Sequence, residues 1–378
     1  MLNVHIYPSQ LTHESRILRI TDALADAGIF DRIEVIGIAG DTLPLREAID
    51  DKRSLVRIPR RLFAGSNGFI AKLIKNIEWS CRVVSYLRGR KITAVNAHSL
   101  AVLPLSAVVS AFSGAKLIYD THELETETSG FKGVRQKFGK LIERVIIRRC
   151  DTIFVVSDSI ADWYANEYKL ARPTVVRNIP QFRVDSSVET PEAIKVLNLS
   201  KDKILFIYQG GFIAGRGIER LLAVFAKVPE ANLLCMGSGP LRGLVADAAV
   251  RYENIHLIPP VKPSEVLNYT KSADVGICLT DNSCLSHYYS LPNKIFEYLH
   301  ADLPIIVNPL KEQRALVEEN ACGWVAPVDE DAFIKLVSSI DRSAIEQCRD
   351  GIGAANSALA WGNEQMRLIE AYKATSRA

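Results

Sequence analysis

The sequence predicts an α/β protein made of two doubly wound parallel-sheet domains, and three observations carry that prediction. Short β-branched runs alternate with longer helical patterns, several of those runs are apolar on both faces, and the alternation breaks once, in a polar stretch near the middle. At 378 residues the chain is long enough for two cores of ordinary size.

In the first half, LNVHIY leads into the helical pattern SRILRITDALADAG, followed by RIEVIGIAG, KITAVNAH, the helix LPLSAVVSAFSG, KLIYDTH, TIFVVS, the helix SIADWYANEY and TVVRN. The runs 116–119 and 152–156 are apolar on both faces, as in a parallel sheet covered by helices on both sides. After Asn178-Ile179-Pro180 the text turns polar and irregular, which places a linker at 181–202 between an N-terminal domain, 1–180, and a C-terminal domain, 203–354. There the pattern restarts: ILFIYQG, helix GIERLLAVFAKV, NLLCMGSG, helix PLRGLVADAAVRY, IHLIPP, helix SEVLNYTKSA, VGICLT, helix NKIFEYLHA, PIIVN and helix QRALVEENA. An amphipathic stretch from about Ala355 to Lys373, within a terminal segment 355–378, is expected to cross back to the first domain.

Composition excludes several function classes. With 48% hydrophobic and 24% charged residues the chain reads as an ordinary globular protein. Residues 1–190 hold 27 Lys and Arg against 21 Asp and Glu, while the remainder hold 19 against 22. That basic excess suits an anionic surface or acceptor but falls short of the dense stripe a nucleic-acid binder needs, so no nucleic-acid partner is expected. The seven cysteines are odd in number and scattered, which argues for reduced thiols rather than a disulfide framework or a zinc site. MLNVHIYPSQ runs straight into a strand pattern, and no run of 18 apolar residues occurs, so the expectation is a cytoplasmic protein that does not span a membrane.

In open parallel sheets ligands bind at the carboxyl ends of the strands, so the loops there hold the candidate residues. Tyr208-Gln209-Gly210-Gly211-Phe212 ends a strand and Gly215-Arg216-Gly217 opens the next helix; Gly210 and Gly211 let a phosphate approach the backbone while Arg216 offers a bidentate charge. The plainer alternative is a set of tight turns. Met236-Gly237-Ser238-Gly239-Pro240 repeats the arrangement, with Gly237 and Gly239 in the equivalent places. Neither loop is the dinucleotide fingerprint GxGxxG, and no Walker motif occurs, which disfavours hydride transfer and P-loop chemistry. Pro292 is placed to open a helix with Asn293 and Lys294 in its first turn and Glu297 one turn on. Lysine and helix N-terminus favour phosphate and Glu297 suits a ribose diol; the alternative is an i, i+3 ion pair on a solvated face. In the first domain, His122 of Tyr119-Asp120-Thr121-His122-Glu123-Leu124 and His98 of Asn96-Ala97-His98-Ser99 both lie at strand ends. His122 is read as functional and His98 as a structural hydrogen-bonding residue.

These residues carry a resemblance over nearly the full length. YQGGFIAGRGIERLL, MGSGPL, SADVGICL and PNKIFEYLHADLPIIV, in that order, and YDTHELETE in the front half resemble glycosyltransferase family 4, in its bacterial surface-polysaccharide branch. The resemblance implies the GT-B fold, two Rossmann-like domains facing across a cleft, and retention of anomeric configuration. It implies a nucleotide-diphosphate sugar held by the second domain, with Arg216 and Lys294 on the diphosphate and Glu297 on the ribose. His122 would lie near the donor sugar, no metal or other cofactor would be needed, and the leaving diphosphate would help to deprotonate the acceptor. The sequence departs from the family pattern at Tyr289, where a first glutamate is usual, and at Gly211, where an arginine is usual. It also lacks the double glycine after the first strand, offering residues 9–16 instead, with Arg16 at a helix start to meet a phosphate.

The acceptor, expected to be a lipid-linked saccharide, falls to the front domain, where the stretches 57–91 and 132–149 mix cations with apolar residues. Phe63, Phe69, Ile70, Leu73, Ile74, Ile77 and Trp79 beside Arg60, Arg61, Lys72 and Lys75 are expected to rest on an anionic bilayer surface, with solvated faces over a core as the alternative. Two other functions use the same features: a nucleotide-sugar epimerase, and a non-catalytic sugar-nucleotide-binding protein.

Overall fold

The apolar runs become strands. In the computed structural model, which describes all residues except 13, 63–67, 182–190, 196, 198, 200, 201 and 378, the chain divides into two compact units: 1–177 with 362–378, and 178–361. Most of the expected linker therefore lies outside the described residues.

The first unit holds β1 (Leu2–Ile6), β2 (Arg32–Ile38), β3 (Arg46–Ala48), β4 (Arg53–Ile58), β5 (Ala94–His98), β6 (Lys116–Asp120), β7 (Thr152–Val155) and β8 (Thr174–Val175), in the order β3-β4-β2-β1-β5-β6-β7-β8. All of these pairs are parallel except the antiparallel edge pair β3 and β4. The second holds β9 (Leu205–Gly211), β10 (Asn232–Ser238), β11 (Ile255–Ile258), β12 (Val275–Cys278), β13 (Ile305–Val307) and β14 (Gly323–Val325), all parallel, in the order β11-β10-β9-β12-β13-β14. The central strands are buried except at the carboxyl ends of β9 and β10, as expected of parallel sheets covered by helices on both faces.

Three features differ from the sequence reading. Arg57, taken as the start of a basic helical stretch, lies in β4 with its guanidinium buried against Glu47 Oε2 and the carbonyls of Gln10 and Pro44; the helix runs only over Phe69–Leu87. Trp79 is not a surface residue: it sits in the core and donates its indole N–H to Gly37 O at 3.2 Å. Leu73 and Ile77 on the same helix are exposed, whereas Phe63 and the side chains of Phe69 and Ile70 lie outside the described residues. The third difference is at the C-terminus, where one expected amphipathic stretch is two helices, Arg349–Ala358 and Trp361–Arg377.

Residues 362–375 contribute to the first unit's core. Glu364 is fully buried, accepting from Arg177 N at 2.9 Å and pairing with Arg177 and Arg367. Leu368 is buried, and Tyr372 stacks on Phe154, meets Phe30 edge-on and donates its hydroxyl to Asn96 Oδ1. Truncating such a side chain removes its burial and leaves a cavity. Tyr372→Ala should therefore destabilise the first unit by about 3–5 kcal/mol, read as a lower urea midpoint with an unchanged slope.

Candidate functional site

A doubly wound sheet has one place where its strand order reverses, and there the loops leave in opposite directions and open a crevice. In the second unit that place lies between β9 and β12. The loop after β9 carries Arg216, whose Nη1 reaches Thr280 Oγ1, just past β12, at 3.4 Å. Helix Asn293–His300 begins beside it, with Pro292 as its N-cap residue, so Asn293 and Lys294 fall in the first turn. The Lys294 ammonium lies 3.9 Å from the centroid of the Tyr208 ring and would stand 3.6 Å from a Cβ placed on Gly210. Among the described residues neither Arg216 nor Lys294 forms an ion pair. Burial pushes the Lys294 ammonium below its ordinary pKa; Cys278 and Glu297 oppose that shift and Arg216 adds to it.

Glycine is required where the loop strands approach one another. A Cβ on Gly237 (φ +154) would stand 1.9 Å from the carbonyl oxygen of Gly210, its partner across the β9–β10 ladder. Gly211 is exposed at the end of β9, and Gly239 follows β10 with its backbone against Phe212 O.

Glu297 is held by residues that the sequence reading did not single out. Gln209 Nε2 donates to Glu297 Oε2 at 2.5 Å, Thr270 donates its hydroxyl to Gln209 Oε1 at 2.7 Å, and the Gln209 N–H donates to the Tyr298 hydroxyl at 3.0 Å. A polar side chain in an otherwise apolar strand, directly before the glycine pair, was the available signal. Asn293 Oδ1 accepts from Asn178 Nδ2 at 2.9 Å. At the departures from the family pattern, Tyr289 packs on Tyr288 with the Lys311 ammonium 5.5 Å from its ring centroid.

In the first unit the order reverses between β1 and β5. His122 lies here with Tyr7 against its ring and its Nε2 at 3.4 Å from Asp120 Oδ2 and 3.2 Å from His98 Nδ1. Arg16 is the clear correction. It does not face outward to meet a phosphate but turns inward, with Nη2 at 2.6 Å from Asp120 Oδ1, Nε at 3.0 Å from Oδ2 and Nη1 donating to Val176 O at 2.8 Å. Charge pairing with a buried carboxylate outweighs solvation of the guanidinium at that helix start. Ser99, next to His98, takes φ +110°, a conformation that non-glycine residues rarely adopt and that marks the end of β5 as strained.

Two family descriptions match this chain, Glycosyltransferase Family 4 over residues 13–179 and Glycosyl transferases group 1 over residues 203–340. Together these matches make the chain a glycosyltransferase of the family 4 type. A curated relative of this glycosyltransferase is chitobiosyldiphosphodolichol beta-mannosyltransferase of Kluyveromyces lactis, 24% identical over 89% of this chain and 82% of the relative. Among solved structures, sucrose-phosphate synthase of Thermosynechococcus elongatus superposes with a TM-score of 0.76 at 15% identity, covering 99% of this chain and 98% of that one. Anabaena HepE in complex with UDP and glucose superposes with a TM-score of 0.72 at 11% identity, covering 98% of each chain. The chain thus has the GT-B fold.

The Gln209 network gives a test independent of ligand. Gln209→Leu removes the amide that Thr270 and Glu297 share, while Thr270 keeps Val266 O as an acceptor, and should cost about 1–3 kcal/mol of stability. Glu297→Gln keeps an acceptor oxygen for Gln209 and should cost under about 1 kcal/mol, both measured by urea unfolding.

Proposed function

We propose that the enzyme moves a sugar, with retention of configuration, from a nucleotide-diphosphate sugar to a lipid-linked saccharide acceptor in surface-polysaccharide assembly, with no metal on the diphosphate. The observation that carries this reading is the convergence of Arg216, Lys294 and the bare backbone of Gly210 at the second unit's strand-order reversal. Two cations and exposed N–H groups suit a diphosphate, and Glu297, one turn past Lys294, suits the ribose diol. The chemistry then needs positive charge beside the departing diphosphate and a sugar held in place, with His122 in the first unit as the sugar-side residue. HepE was crystallised with UDP and glucose, and the name of the Kluyveromyces relative carries a saccharide on a diphosphodolichol; both support donor and acceptor classes of this kind. From an α-linked donor, the β-mannosyl product in the same name requires inversion, which is a second reading.

Binding of UDP-, GDP-, ADP- and dTDP-sugars by calorimetry tests the donor site. One donor should bind, and Arg216→Ala or Glu297→Ala should weaken it about 10- to 100-fold, the loss of one charge-assisted interaction. Charged Lys294 favours the diphosphate, so affinity should fall as pH rises through its pKa, below the range of an ordinary lysine, and Lys294→Met should abolish that alkaline limb. Binding that ignores all three substitutions would move the donor site elsewhere. The anomeric signal of the product, followed by NMR, separates retention from inversion, and turnover without acceptor would point to an epimerase.

Association with a bilayer surface is part of the proposal, and its support is helix Gly133–Ile146. Val134, Phe138, Leu141 and Val145 are 84%, 63%, 58% and 55% exposed. At 100° per residue they fall within an arc of about 60°. Arg135, Lys137 and Arg144 are exposed beside them, while Glu143, the helix's one acid, is buried on the opposite face. No helix among the described residues is long and apolar enough to cross a membrane. Phe138→Glu with Leu141→Glu should cut co-sedimentation with phosphatidylglycerol vesicles several-fold while leaving donor binding unchanged. Equal sedimentation of both proteins would remove the helix from the proposal.

A further inference from the structure

The polar groups buried behind His122 determine which of its ring nitrogens carries the proton. Asn3 Nδ2 donates to Ala94 O at 3.2 Å, so its Oδ1 faces His5 Nε2, 2.5 Å away; this contact outweighs the longer one from Asn96 Nδ2 at 3.4 Å, so Nε2 holds a hydrogen. Burial, with His98 adding to it, holds His5 well below its ordinary pKa and keeps it neutral. Its Nδ1 is therefore a lone pair and accepts from His98 Nε2–H at 2.8 Å. His98 Nδ1 is then an acceptor as well. Burial opposes the charge on Asp120, but the Arg16 guanidinium and the imidazoles of His122 and His98 together outweigh it and hold that carboxyl well below the usual range. Two acceptors, His98 Nδ1 and Asp120 Oδ2, thus stand 2.9 Å apart, and His122 Nε2 faces both. An N–H at that nitrogen relieves the opposed lone pairs. If His98 instead carries a hydrogen on Nδ1 and donates it to Asp120 Oδ2, the carboxylate still favours His122 Nε2 as a donor, 3.4 Å away.

We propose that Asp120 and His98 are positioning residues that hold the proton of His122 on its inward Nε2, so that its Nδ1 lone pair accepts a hydroxyl of the donor sugar. The second clause rests on the function proposed above; the first stands without ligand. The groups around the relay come from every neighbouring element: Asn3, His5 and Tyr7 from β1 and its end, Arg16 from helix Ser15–Asp26, Asn96 and His98 from β5, Asp120 from β6, and Tyr372 from the C-terminal helix through Asn96. His122 itself keeps 23% of its side chain exposed. The same three ligand atoms lie close enough to hold a metal ion. Arg16 already neutralises the one carboxylate, so a divalent ion would place three positive charges around a single negative one, and a proton is the favoured occupant.

Nitrogen-15 NMR of the full chain labelled at its seven histidines, with His122 assigned through His122→Gln, reads the tautomer directly. The expected spectrum has His122 Nε2 protonated and Nδ1 bare. A proton on Nδ1, or a stoichiometric metal retained through purification and held by His98, Asp120 and His122, overturns the proposal. With the donor that binds, Asp120→Asn should lower kcat about tenfold or more with KM nearly unchanged, and its His122 signal should show mixed tautomers. An unshifted tautomer in that variant also overturns it. A deoxyfluoro donor, unable to donate at the contacted hydroxyl, should lose as much affinity as the deoxy donor; full retention of affinity by all fluoro analogues defeats the second clause alone. If no sugar nucleotide binds, the proposed function fails while the NMR result still decides the tautomer.

Discussion

The reversal of strand order is the constraint on which the rest of this molecule depends. In a sheet wound in both directions from its centre, the first strand of each winding must send its loop away from the other, and the carboxyl ends there are not closed by a crossover. The first unit reverses between β1 and β5, the second between β9 and β12. Nearly every polar group of interest sits at one of these two places. His5, His98 and Asp120 are strand residues of the first reversal, and Gln209, Gly210 and Arg216 follow or end β9 at the second. The helices supply burial on both faces, so a polar side chain at such a strand end has to find its partner along the same edge.

That requirement explains why the buried polar groups form chains rather than isolated pairs. A buried acceptor without a donor costs about 1–3 kcal/mol, and a charge costs more. Asp120 therefore takes a bidentate guanidinium, and Glu143 accepts hydroxyls from Tyr119, Tyr164 and Tyr168 at 2.6–2.8 Å. Gln209 shows the same logic in a neutral group, meeting Glu297 with its amide nitrogen and Thr270 with its oxygen. Such chains fix side chains that loops alone would leave mobile.

Periodicity made most of the fold legible. Eleven of the strands and most of the helices between them follow the alternation of apolar runs and helical patterns in the sequence. What was not legible was short or depended on distant partners. The strands β3, β4 and β14 were not recognised: β3 and β14 have three residues each, and the apolar run of β4 is interrupted by charge. Arg57 and Trp79 looked like parts of one basic amphipathic surface, because sequence cannot tell a cation paired in a strand from one in solvent. Arg16 needed Asp120, 104 positions away, to turn it inward. His98 read as a structural histidine, and a structural partner is what it is to His5; its bearing on His122 appears only when β1, β5 and β6 lie side by side.

The two strand-order reversals differ in charge in a way that follows from these partners. At the first, Arg16 and Asp120 cancel, and imidazoles and amides surround the pair. At the second, Arg216 disfavours the charged form of Lys294, and burial disfavours it more. Holding two cations near each other in a partly buried loop costs stability that an anion between them would return. Ligand bound only by the folded state at 100 times its dissociation constant adds about 2.7 kcal/mol to stability. A site with this charge is therefore destabilised in the way an anion relieves, whereas at the first reversal the charge of Arg16 is already met by Asp120.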